Sequence, residues 1–96
     1  MTAREVEHNM LLRCATAARH SAVAQDQREA NVFRVAAMVV RPRLPREAAC
    51  LMQASEDYFN QHPNERLSAA DVVRNGWVFS LPRLRDMLSR ELRRSS

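Results

Sequence analysis

The chain has 96 residues, of which 46% are hydrophobic and 27% charged, and a formal net charge of +4. That length predicts one domain, and a chain of this size buries only about 65% of the surface its unfolded form exposes. One glycine and prolines at 42, 45, 63 and 82 supply too few tight turns for a sandwich or barrel.

The apolar residues are unusual in kind. Fourteen are alanine, twelve of them before residue 55, and isoleucine is absent. Alanine favours helix because it loses no side-chain entropy there, but it buries little area. The N-terminal half therefore gains helicity more readily than it gains a core, and association would supply the missing burial. All fifteen basic residues are arginine, the better bidentate partner for phosphate or carboxylate.

Residues 3–26 are predicted to form one long helix, with Ala3, Val6, Met10, Cys14, Ala17, Ser21 and Ala24 at steps of three and four. Between Leu12 and Asn31 the only bulky apolar residue is Val23. Residues 30–41 are apolar almost all round. Their valines would also suit a strand, but the flanking helical patterns favour a buried helix. The run Arg41-Pro42-Arg43-Leu44-Pro45-Arg46 breaks the pattern. Proline disfavours helix in the residue before it, so an extended connector is expected, with Pro45 opening the next helix at its first position.

Residues 46–62 carry the clearest amphipathic pattern: Ala48, Leu51, Met52, Ser55, Tyr58, Phe59 and His62 share a face, and Pro63 ends it. Over 67–75, Ser68 and Asp71 fit a capping box, and Leu67 and Val72 a hydrophobic staple. Asn75-Gly76 is a helix stop. The last helix opens near Ser80-Leu81-Pro82, with either Ser80 or Leu81 as its cap, and buries Leu81, Leu84, Met87, Leu88 and Leu92. Trp77, Val78 and Phe79 are expected to pack inward from the connection. The expected fold is all-α, a bundle of about five helices. Residues 1–41 provide the association helices, and 45–94 form a three-helix unit.

Charge is unevenly distributed. Residues 1–30 sum to zero, 31–46 to +4, 47–72 to −4 and 73–96 to +4. Either these segments neutralise one another in the fold, or a basic surface faces nucleic acid or an acidic protein.

Little in the sequence points to catalysis. His8, His20, His62, Cys14 and Cys50 stand at no recognised metal-ligand spacing, and one glycine cannot build a phosphate loop. Glu56 and Asp57 are adjacent, so on a helix they diverge by about 100°. The expectation is a non-enzyme without metal, cofactor or small-molecule substrate. The two cysteines make no disulfide framework and read as reduced. The N-terminal residues do not resemble a targeting peptide. The longest apolar run, Val35 to Val40, is too short to span a membrane. These features together predict a cytoplasmic location.

The last two helices form a loose helix-turn-helix-like pair. The compact register does not fit, since Asp71 and Asn75 would fall where apolar residues point inward. Arg83 and Arg85 occupy the first turn of the last helix, where the helix dipole prefers acids. Such departures from local rules are often functional. If this helix binds DNA or an acidic partner, Arg83, Arg85, Arg90, Arg93 and Arg94 are the candidate contacts, with Arg41, Arg43 and Arg46 as a basic hinge. The leading expectation is a binding or regulatory protein acting through helix-mediated association, as an oligomer or a subunit of a complex. The alternative is a DNA-binding transcription regulator.

Overall fold

The computed structural model describes residues 2–94: five helices, one short 3-10 turn and, among the described residues, no strand. The expected all-α bundle is what the chain forms.

Helix α1 (Ala3–His20) starts at Thr2, whose Oγ1 accepts the Glu5 N–H at 3.2 Å. The spacing predicts a helix to residue 26, but the chain leaves it at Ser21, which adopts a left-handed φ of 51°. The reason lies just downstream. Asp26 caps α2 (Gln27–Val40), its carboxylate accepting the Glu29 N–H at 2.9 Å. Glu29 then turns back to Arg13 of α1, with Nε–Oε2 at 2.8 Å and Nη2–Oε1 at 2.9 Å, and accepts the Gln25 N–H at 3.2 Å. Asp26 and Glu29 thus make two connected polar anchors that a continuous helix would not contain. They also start α2 at residue 27 rather than 30.

Helix α2 is the buried helix expected, not a strand: Glu29–Phe33, Val35–Ala37 and Val40 are all buried. The hinge differs from its expected extended form. Arg41 stays helical at φ −50° and ψ −44°, and the N–H groups of Arg41, Arg43 and Leu44 donate to Ala37 and Val40 carbonyls. These bonds satisfy the end of α2, and Pro42 needs no acceptor. The hinge is a tight turn.

Helix α3 (Pro45–Phe59) opens with Pro45 at its first turn, buries Ala48, Leu51, Ala54, Ser55 and Phe59, and makes its main packing against α2. It ends at Phe59, three residues before the expected stop, and Pro63–Glu65 form the 3-10 turn. Buried Asn31 fastens this turn to α2. Its Nδ2 donates to the Gln27 and Glu65 carbonyls at 3.1 and 3.0 Å, while its Oδ1 accepts the Leu67 N–H at 2.9 Å. Ser55, also buried, donates to the Ala30 carbonyl at 2.7 Å. Both buried polar side chains are therefore satisfied.

Helix α4 (Ala69–Arg74) has the expected cap, Ser68 Oγ accepting the Asp71 N–H at 3.2 Å. At its other end the N–H groups of Gly76 and Trp77 donate to the carbonyls of Val73 and Val72, with Gly76 at φ 77°. This is the Schellman arrangement. Helix α5 (Leu81–Arg94) is capped by Ser80, whose Oγ accepts the Arg83 N–H at 3.1 Å. Pro82 therefore stands second in the helix. Leu84, Leu88 and Leu92 pack α5 across α2 and α1.

The alanine face of α1 lies inside the fold. Cys14, Ala15, Ala17 and Ala18 are almost wholly buried, with α3 as the main neighbour of α1. The burial that the sequence leaves to a partner is largely supplied within the chain.

Two substitutions test this framework. Asn31→Leu should cost about 1–3 kcal/mol, because it leaves the part-buried Leu67 N–H without a partner and the Glu65 carbonyl with only the Gln27 amide, and hydrogen exchange should show that segment losing protection first. Ser68→Ala should cost roughly 0.5–2 kcal/mol in a denaturant titration.

Candidate functional site

Two basic segments, far apart in sequence, adjoin in the structure. Asp86 of α5 joins them: Arg85 Nε lies 3.1 Å from its carboxylate, and Arg43 of the hinge 3.8 Å from the same oxygen. Arg41, Arg43 and Arg46 are all exposed. Sequence spacing gives no sign of this meeting, because it depends on how α5 crosses α2.

Beside the hinge runs an apolar groove of about 400 Å³, lined by Arg41, Pro45, Ala48, Ala49 and Met52. Met38, one turn before Arg41 on the exposed stripe of α2, is 52% exposed. Leu12 and Val23, away from the hinge, are the other large apolar side chains exposed among the described residues. Neither methionine stood out in the sequence. Met52 lies on the face assigned to the core but is only partly covered, and Met38 lies in a run apolar almost all round.

The α5 arginines are arranged less simply than a DNA-reading helix requires. Arg83 leans over the Phe79 ring at 5.0 Å and pairs with Glu7 of α1 at 3.0 Å. Arg85 is only 38% exposed and is held by Asp86. Arg90, Arg93 and Arg94 lie exposed further along, with Arg94 3.9 Å from Glu91. The two arginines that would read bases are thus engaged with the protein's own acids. Exposed pairs of this kind contribute only about 0–1 kcal/mol, so a phosphate could exchange for them. Helix α4, with six residues, gives a short support for a helix-turn-helix.

The acidic segment forms its own contacts. Glu56 and Arg66 make a bidentate pair with both distances 2.8 Å, and that hydrogen bonding holds the Glu56 carboxyl below its ordinary range. Asp57 accepts from the Gln53 amide at 2.7 Å, and Tyr58 donates to Glu65 at 3.1 Å. Glu56 and Asp57 therefore face different partners.

Among the described residues, no three His, Cys, Asp or Glu side chains converge as a metal site, and no helix is long and apolar enough to cross a membrane. Cys14 is fully buried, and burial pushes its thiol up to about 12, with the nearby Glu29 charge adding to the shift. The thiolate is the reactive form, so this thiol is inert at neutral pH.

The fold defines a small all-α bundle with a basic hinge and an exposed apolar groove. In comparison with known proteins, no family model, no curated protein and no solved structure matches the chain.

The cysteines provide a direct check. In the folded protein an alkylating reagent at pH 8 should label half-buried Cys50 well before Cys14, which should react only on unfolding. Because the folded Cys14 pKa is raised above the ordinary thiol value of 9.0, its contribution to stability is complete below about pH 9. That contribution falls as pH rises toward 12. Cys14→Ala should remove this part of the alkaline decline in the unfolding midpoint.

Proposed function

We propose that the chain is a non-catalytic binding protein, a subunit or regulator that associates with another protein through its hinge end. The observation that carries this reading is the apolar groove along Pro45, Ala48, Ala49 and Met52, with exposed Arg41, Arg43 and Arg46 around it. An apolar centre with a charged rim is the ordinary anatomy of an interface. The rim selects the partner. Two copies meeting hinge to hinge would bring like charges together, which costs affinity and specificity. An amphipathic helix with an apolar stripe and acidic flanks satisfies both groove and rim.

The DNA-binding reading keeps one specific observation in its favour: Arg43 and Arg85 gather on Asp86, so hinge and α5 present one basic neighbourhood. Set against it are the internal engagements of Arg83 and Arg85.

Purification of the intact protein from its native cell, followed by paired variants, separates the two readings. Met52→Glu combined with Met38→Glu, or Ala at Arg41, Arg43 and Arg46 together, should weaken capture of the associated protein at least about tenfold. Arg83→Ala with Arg85→Ala should leave capture unchanged. A randomised-duplex selection at physiological salt should return no preferred sequence, since charge alone gives only salt-sensitive, unselective binding. A preferred sequence lost in the Arg83/Arg85 variant would overturn the association reading in favour of DNA.

A further inference from the structure

A second cleft, sharing no residue with the hinge groove, lies where α1 passes over the connection between α4 and α5. Its volume is about 390 Å³, within the range of small-molecule sites. Val6 and Met10 of α1 form one wall, Trp77 and Phe79 of the connection another, and Glu7 and Arg28 supply the charged groups. Aromatic and aliphatic walls with a few polar groups are how such sites are built.

The two charges differ in standing. Glu7 is already held by Arg83 at 3.0 Å, on the same arginine that covers Phe79. Arg28 has no such partner. Among the described residues no carboxylate lies within ion-pair distance of its guanidinium, and its Nε is buried without a hydrogen bond. The adjoining groove contains Arg13, Asp26 and Glu29 besides Arg28. There Glu29 is bound to Arg13, and Asp26 Oδ1 takes the Glu29 N–H. Arg28 is therefore the cation of this region that lacks an ion-pair partner. A half-buried arginine so placed departs from the usual pairing of charges, and such departures concentrate at functional sites.

We propose that this cleft binds a small amphipathic monocarboxylate, its apolar body against Met10, Trp77 and Phe79 and its carboxylate at the Arg28 guanidinium. Arginine presents a planar fork that suits a carboxylate. The walls reward an unbranched or aromatic tail rather than a polar one. The site stands apart from the association reading, and failure of either leaves the other in place.

Trp77 is the only tryptophan, so its fluorescence reports on the cleft directly. The intact protein is titrated with octanoate and, separately, with 1-octanol, both below micelle-forming concentrations, and amide shifts locate the response. Octanoate should give a saturable change in Trp77 emission, with shifts confined to residues 3–10, 28 and 73–79. Octanol should bind about tenfold more weakly, the difference a charge-assisted contact supplies. Arg28→Met should reduce octanoate to the level of octanol. Ala3→Phe, at an exposed position on the rim of the cleft, should block both probes while circular dichroism shows the helices intact. Absence of a saturable response, equal binding of the two probes by the unmodified protein, or octanoate binding unchanged by Arg28→Met would each overturn the proposal. Shifts centred on the hinge groove would do the same.

Discussion

Everything else in this fold depends on a helix that cannot face water. Apart from the stripe of Arg34, Met38 and Arg41, α2 is buried through most of its length. At about 25 cal/mol per Å² of apolar surface, leaving its valines and Phe33 uncovered would cost more than the fold can offset. Helices α3 and α5 supply most of the cover, and α1 and α4 the remainder. Burying a helix over most of its surface also buries polar groups, and Asn31 and Ser55 resolve this locally. Asn31 satisfies the backbone of the 3-10 turn, and Ser55 bonds across to α2 at Ala30. They fix both the register of α3 on α2 and the path of the chain after Phe59.

Alanine has a different role from the one its small area suggests. The Ala24 N–H donates to the Ala54 carbonyl at 3.3 Å, a backbone-to-backbone bond between the first connection and α3. Such an approach requires small side chains on both elements. What alanine lacks in buried area it returns in proximity, because dispersion contacts fall away steeply with distance. The composition therefore marks close packing inside one chain as readily as it marks an association face. Only the structure distinguishes these, since the covering helix α3 lies about thirty residues downstream.

The readable parts of the fold were those set by local chemistry. Ser68 with Asp71, Pro45 at a helix start and Gly76 at a helix end each act within a few residues, and each does what its residue type implies. The corner at 21–26 is not legible from the helical spacing, although Asp26 and Glu29 stand at capping distance in sequence. The reason is competition: Ala22 and Ala24 carry the helical pattern through it, and the bond that settles the matter joins Glu29 to Arg13, sixteen residues away. The hinge departs from its local rule for a similar reason. The penalty on a helical residue before proline is real, yet the carbonyls of Ala37 and Val40 accept the N–H groups of Arg41, Arg43 and Leu44. The candidate site divides in the same way. Its arginines were legible as charge, whereas their gathering on Asp86, the engagement of Arg83 by Glu7 and the exposure of Met38 are products of helix crossing.

Net charge understates how basic the hinge is. The acidic residues of 47–72 could have cancelled the basic segments, but their contacts are local: Glu56 to Arg66, Asp71 to Arg74, Asp57 to Gln53. The molecule measures 35 × 29 × 23 Å, whereas at physiological ionic strength exposed charges are screened beyond about 8 Å. An acid across the bundle therefore does little to the potential at Arg41 or Arg46. The nearby carboxylates are Asp86, shared by Arg43 and Arg85, and Glu47, which follows Arg46 in the first turn of α3. On the proposed association, a partner approaching this end would meet the three hinge arginines, only partly offset by those two acids, next to exposed Met38 and Ala49. Attraction at the rim would then orient the partner, and burial of the groove would hold it. That ordering would need no residue to be strained or reactive, only that the remaining acids of 47–72 stay occupied by their local partners.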